Sequence, residues 1–177
     1  TGLRHSMITL ALGARRYDLA LDESRRARAF TPGDRITTIL QSYALLLSGE
    51  AEHCLALDLA PWPAERAMCL LELGRTAEAD RVADSLAVKL RGGSYRSVAQ
   101  FADLAAYRAR RGDVAGAIEW LAEGAKISPM LYYWHLDSGL FDRVRNQPEF
   151  RAGIRRVEES IRARMDEERR ALSPRLE

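Results

Sequence analysis

Small side chains recur in the same frame at two distant places, and no other feature of this chain limits its fold more. In "GDVAGAIEWLAEGAKISP", Val114, Ala117, Gly124 and Pro129 follow one another at the spacings of Tyr17, Ala20, Ala27 and Pro32 in "GARRYDLALDESRRARAFTP". A helix that carries Ala or Gly on one face lets a neighbouring helix approach closely, because ridges of larger side chains would hold the axes apart. Ala20 and Ala117 are expected to bring the two helices of a pair together, and Ala27 and Gly124 to make room for the next unit. The two segments lie nearly three periods of about 34 residues apart, the length of a helix-turn-helix repeat.

Almost every stretch between these landmarks is rich in Ala, Leu, Arg and Glu, which form helices readily, and none alternates apolar and polar residues long enough for a strand. The fold class expected is all-α. Breaks are marked by "FTPGD", "SGE", "APWP", "LGRT", "RGGS", "RRGD", "ISP", "DSG" and "NQP". Asp34 and Ser94 are N-cap candidates, Gly49, Gly74 and Gly112 suit the left-handed position that ends a helix, and Pro63 and Pro148 suit a first turn, where no backbone donor is needed.

In this pattern the chain resembles the tetratricopeptide repeat family over most of residues 1–129. A third unit reads "CLLELGRTAEADRVADSLAVKL", with Ala79 in the small position. The second, "TILQSYALLLSGEAEHCLALDLAPWP", has Cys54 where Ala is usual and a second helix that stops early before Pro61. About four units are therefore expected in 1–129, the second degenerate, and the resemblance implies a right-handed superhelix. Residues 130–177 are expected to close it. Leu136, Asp137, Leu140, Phe141, Val144, Arg145, Pro148 and Phe150 resemble the segment that ends such arrays in bacterial multidomain regulators, among them winged-helix transcription regulators, nucleotide cyclases and Ser/Thr kinases. Physically this is a cap, and Phe150, Ile154, Val157 and Ile161 give its last helix one apolar stripe.

The residue types bound the function. Lys and Arg total 27 against 25 Asp and Glu, a net charge of +2, so the chain as a whole offers no basic surface for nucleic acid. No apolar run approaches the ~18 residues of a membrane span. No nucleophile elbow, zinc-helix motif, phosphate loop or nucleotide fingerprint occurs, so an enzyme, a metal site and a cofactor are all unexpected. His5, His53 and His135 are far apart and read as surface or capping residues. Cys54 and Cys69 read as small buried residues, mildly favouring a reducing compartment, with one disulfide left open. Arg25, Arg26 and Arg28, like Arg108, Arg110 and Arg111, lie beside acids, and Glu158 is placed to pair with Arg162 one turn on. Trp62, Trp120 and Trp134 read as fillers between helices.

The surface with most functional promise is the concave side, lined by the first helix of each pair. The repeat register puts His5, Ser6, Thr9, Tyr43, Glu65, Met68, Glu72, Asp103 and Arg110 along it. The expected function is non-enzymatic: a protein-interaction module within a larger bacterial regulator, holding a protein or peptide segment in that groove. Some family members grip a terminal carboxylate with Asn and Lys; acids stand here instead, so that mode is not expected. The alternatives are a small-molecule sensor built around Trp62, Tyr132, Tyr133 and Trp134, and a homodimer formed through the terminal helix. The chain opens on Thr1 without a leader pattern, which suggests a piece of a longer protein. A cytoplasmic location is expected, or a periplasmic one if a membrane span lies upstream.

Overall fold

A computed structural model describes residues 2–93, 98–129 and 135–172, and every regular element among them is helical. In chain order these are α1 (Gly2–Gly13), α2 (Tyr17–Phe30), α3 (Arg35–Leu47), α4 (Ala51–Leu55), α5 (Pro63–Glu72), α6 (Thr76–Arg91), α7 (Val98–Arg110), α8 (Val114–Ile127) and α9 (Pro148–Leu172). The punctuation falls where its chemistry requires. Gly49, Gly74 and Gly112 have φ of +85°, +74° and +81° in the turns α3–α4, α5–α6 and α7–α8, and Pro63 and Pro148 open α5 and α9. Asp34 precedes α3, but its carboxylate takes the Thr37 hydroxyl (2.6 Å) and His5 Nε2 in place of a backbone N–H. Burial pushes this carboxyl up; the bonds from Thr37 and His5 outweigh it and hold Asp34 below the ordinary aspartate range. Ser94 lies outside the described residues.

Each helix packs on the one before it through the α1/α2, α3/α4, α5/α6 and α7/α8 pairs, and the first helices also touch in turn, α1 on α3, α3 on α5 and α5 on α7. The small residues make this closeness available: Ala20, Ala27, Ala79 and Ala117 are all buried. Gly124 is also buried, but it serves a different neighbour from the one expected. A Cβ there would stand 3.0 Å from the Cβ of Phe101, so the missing side chain admits α7 of its own pair. The close approach to the following element comes from Gly153 of α9, whose absent Cβ would overlap the Ile118 side chain of α8. Trp120 fills the space beside Phe101, with ring centroids 5.9 Å apart, under the Arg91 guanidinium.

The degenerate second unit is visible as a five-residue α4. Both cysteines are buried as expected, and the pairing that their sequence leaves open is present. Cys54 of α4 and Cys69 of α5 are fully buried, and they are joined as a disulfide across a Cα separation of 6.0 Å. A second helix too short to carry a full apolar face is thereby tied to its neighbour covalently.

Helix α9 lies on α8. Phe150, Val157 and Ile161 of its stripe are buried, and Phe150 stacks on Phe141 at 5.7 Å. Arg164 donates to the carbonyls of Ala125 (3.0 Å) and Lys126 (2.6 Å), satisfying acceptors that the last turn of α8 leaves open. The stripe that a terminal-helix homodimer would need is therefore occupied within the chain. Among the described residues no helix is long and apolar enough to cross a membrane.

Candidate functional site

The residues expected along the groove come together in space, but they are not a surface. Tyr43, Glu65, Met68 and Asp103 are each at most 2% exposed. Helices α3, α5 and α7 present them to one another and to His135, just downstream of α8. The Tyr43 hydroxyl donates to Asp103 Oδ1 at 2.6 Å and lies 3.3 Å from Glu65 Oε1. Gln100 Nε2 reaches both acids, at 2.8 Å to Glu65 Oε2 and 3.1 Å to Asp103 Oδ2. Its own Oε1 is oriented by the Ala64 N–H in the first turn of α5. His135 Nε2 stands 3.1 Å from Asp103 Oδ1, and its ring meets Tyr43 edge-on.

Two carboxyl groups held together out of water cannot both ionise without large cost, and a pair in this position shares a proton. Burial first, and then the charge of Asp103, raises the Glu65 carboxyl well above its ordinary value. The same causes, burial followed by the two acids, raise the Tyr43 phenol well above its own. A neutral Glu65 can donate to Asp103 while accepting from Gln100, which leaves the cluster with its polar atoms matched. Tyr43, Glu65, Gln100, Asp103 and His135 are all buried. The arrangement is a structural node that binds three first helices and the following segment into one core.

What closes the groove is the chain itself. Residues 135–147 do not merely end the last pair; they run back across the C-terminal ends of all four first helices. Asp142 forms a two-point ion pair with Arg15, just past α1, at 2.6 and 2.9 Å. Gly139, with φ of +85°, passes the Leu47 side chain at the end of α3 and the Tyr17 hydroxyl so closely that a Cβ would meet that oxygen at 3.0 Å. Arg143 donates to Glu72 (2.8 Å) at the end of α5 and to the Arg110 carbonyl (3.1 Å) at the end of α7. Leu140 and Phe141 of this strap are fully buried.

The remaining predicted groove residues are engaged at its margins. Glu72 pairs with Arg110 at 2.9 Å as well as with Arg143. His5 is half-buried on Asp34 and Thr37, Thr9 donates to the His5 carbonyl, Ser6 is exposed, and its hydroxyl turns back to the Gly2 carbonyl. Two members of the node were not legible as such: Gln100 was not singled out, and His135 was taken for a surface or capping residue. The signal for Gln100 was a polar residue three before Asp103 in the otherwise apolar run "VAQFADLAAY". For His135 there was none, because its partner lies 32 residues away.

The two arginine groups expected beside acids are tied to neighbours: Arg25 to Asp22, Arg26 to Glu23, Arg28 to Gln41, Arg108 to Asp84 and Arg111 to Asp80. Among the described residues no group of His, Cys, Asp and Glu is placed to hold a metal ion. Tyr132, Tyr133 and Trp134, invoked for a ligand pocket, lie outside the described residues. Comparison with protein-family models, with curated proteins and with solved structures finds no match to this chain.

Proposed function

We propose that this chain is a non-enzymatic protein-interaction module, a right-handed superhelix of tetratricopeptide-like helix pairs within a larger bacterial regulatory protein. The observation that supports the reading is the order of packing: successive pairs joined at small residues, with each first helix also touching the next. Such one-dimensional stacking makes an extended, rigid surface whose exposed residues can vary without disturbing the core. Because Tyr43, Glu65, Met68 and Asp103 are buried, a partner is taken on the exposed faces of the helix pairs and of the closing helix. The Cys54–Cys69 bond favours an oxidising compartment over the reducing one expected from the cysteine count.

The test is crosslinking of the full chain in extracts of its source, followed by purification of the crosslinked partner and titration of the two pure proteins. The reading expects a saturable complex that substitutions on exposed residues weaken and substitutions in the buried node affect only through stability. A chain that forms no reproducible complex, or one that converts a substrate, would refute it.

A further inference from the structure

Where α9 begins, a groove of about 390 Å³ opens between its first two turns, the Arg145–Asn146 turn and the Leu136–Asp137 segment. Its floor is apolar: Phe150 is buried, and Leu136 and Ile154 are half-covered. Its rim is cationic. The side chains of Arg151 and Arg155, one turn apart on the exposed side of α9, make no ion pair or hydrogen bond among the described residues, where most other arginine side chains are bonded to a neighbour. Arg145, the third arginine of the groove, is committed to Asp142 (3.1 Å) and to the Leu136 carbonyl. Asp137 is the one acid on the rim, so two uncommitted cations face a single carboxylate.

We propose that this groove docks a segment of a partner protein in which acidic residues flank one bulky apolar side chain. The inference rests on the interaction-module reading and supplies its site. Each part of the occupant answers a part of the groove. The apolar side chain covers the exposed parts of Leu136 and Ile154 above the buried Phe150, which a free anion such as phosphate would leave wet. The flanking carboxylates meet Arg151 and Arg155, whose planar guanidinium forks can each donate two parallel hydrogen bonds to a carboxylate. The Asp137 carboxylate on the opposite rim repels a second acid there, so it favours an extended segment whose charges lie along α9.

The experiment is fluorescence polarisation of the full chain with labelled synthetic peptides, each a run of Asp and Glu around one central Phe, Leu, Trp or Met. Controls place Ala at the centre or Lys in place of the acids. The expected result is saturable binding of at least one acidic peptide with a bulky centre. Arg151→Glu with Arg155→Glu should weaken it by about tenfold or more, the central Ala peptide should bind about tenfold more weakly, and the Lys peptide should not bind. Both arginines are exposed, so the double variant should melt with the wild type, a control read by circular dichroism. Equal binding by the double variant, equal binding of the Ala-centred peptide, or no binding by any acidic peptide would overturn the assignment. So would self-association of the chain that disappears in the double variant, since a second copy would then be the occupant. If a purified partner binds the double variant undiminished, the module reading stands and this groove falls alone.

Discussion

Replacing Glu65 by Gln should remove a loss of stability that the wild-type chain suffers as pH rises. In the folded chain Glu65 is fully buried and its carboxyl is raised, first by burial and then by Asp103. In the unfolded chain it titrates in the ordinary glutamate range. Between those two values the folded state holds a proton that the unfolded state has lost, so stability is fully present below the unfolded value and declines as pH rises toward the folded one. This is the opposite sign from a salt-bridged carboxylate. The slope is about 1.4 kcal/mol per pH unit for one proton, and a rise of two units within the window costs about 2.7 kcal/mol. For a chain of this size that is a fall of roughly 5–11 °C in midpoint. Glutamine has the shape of the neutral acid: its Oε1 can accept from Gln100 and its NH₂ can donate to Asp103. Urea unfolding followed by circular dichroism from pH 5 to 9, at constant ionic strength, should show wild-type stability falling relative to Glu65→Gln as pH rises. The difference between the two curves isolates Glu65 from other titrating groups. Parallel curves would mean that Glu65 carries the same charge in both states, and the shared-proton account of the node would be wrong.

The strap should owe its hold to apolar burial more than to its ion pairs. Phe141→Ala removes a fully buried ring stacked on Phe150 and should cost about 3–5 kcal/mol, with faster proteolysis within 135–147. Arg15→Ala breaks an ion pair whose side chains are 51% and 39% exposed and should cost less than about 1 kcal/mol by the same denaturation assay. Gly124→Val places branched carbon where even a Cβ would be 3.0 Å from Phe101, and should cost about 1–3 kcal/mol by forcing α7 and α8 apart. Alkylation of the denatured chain without reductant, read by mass spectrometry, should find no free thiol. Reduction should then lower the unfolding free energy by up to about 3 kcal/mol for the short loop between Cys54 and Cys69, read by the same denaturation assay.

The helices and their ends were legible because the forces that set them are local. Gly49, Gly74 and Gly112 end helices through their own backbone freedom, Pro63 and Pro148 begin them by needing no donor, and Ala117 is buried for want of a side chain. The error at Gly124 is instructive in the same terms. A missing Cβ shows that something comes close, but not what, and Phe101 of the same pair filled the space where the next unit was expected. The pairing of the cysteines stayed open in the sequence for a related reason, since its closure depends on how a shortened α4 lies against α5.

The groove residues pose the deeper case, because Tyr43, Glu65, Met68 and Asp103, expected at a surface, are buried. Glu65 and Glu72, like Asp103 and Arg110, lie two turns apart on one side of their helices, and helical periodicity alone places them toward the array's interior. Polar residues on such a face suggest contact with water or with a partner, and the partner turned out to be the same chain. The contacts that decide this span long separations: 60 residues from Tyr43 to Asp103, 71 from Glu72 to Arg143 and 127 from Arg15 to Asp142. No local pattern encodes them. They follow from a cap whose Leu140 and Phe141 must bury themselves somewhere, and the ends of the four first helices offer the nearest apolar cover. Once that strap is laid down, Glu65 and Asp103 stand together out of water around one glutamine, and burial with the neighbouring acid raises the Glu65 carboxyl well above the range it would have in solvent.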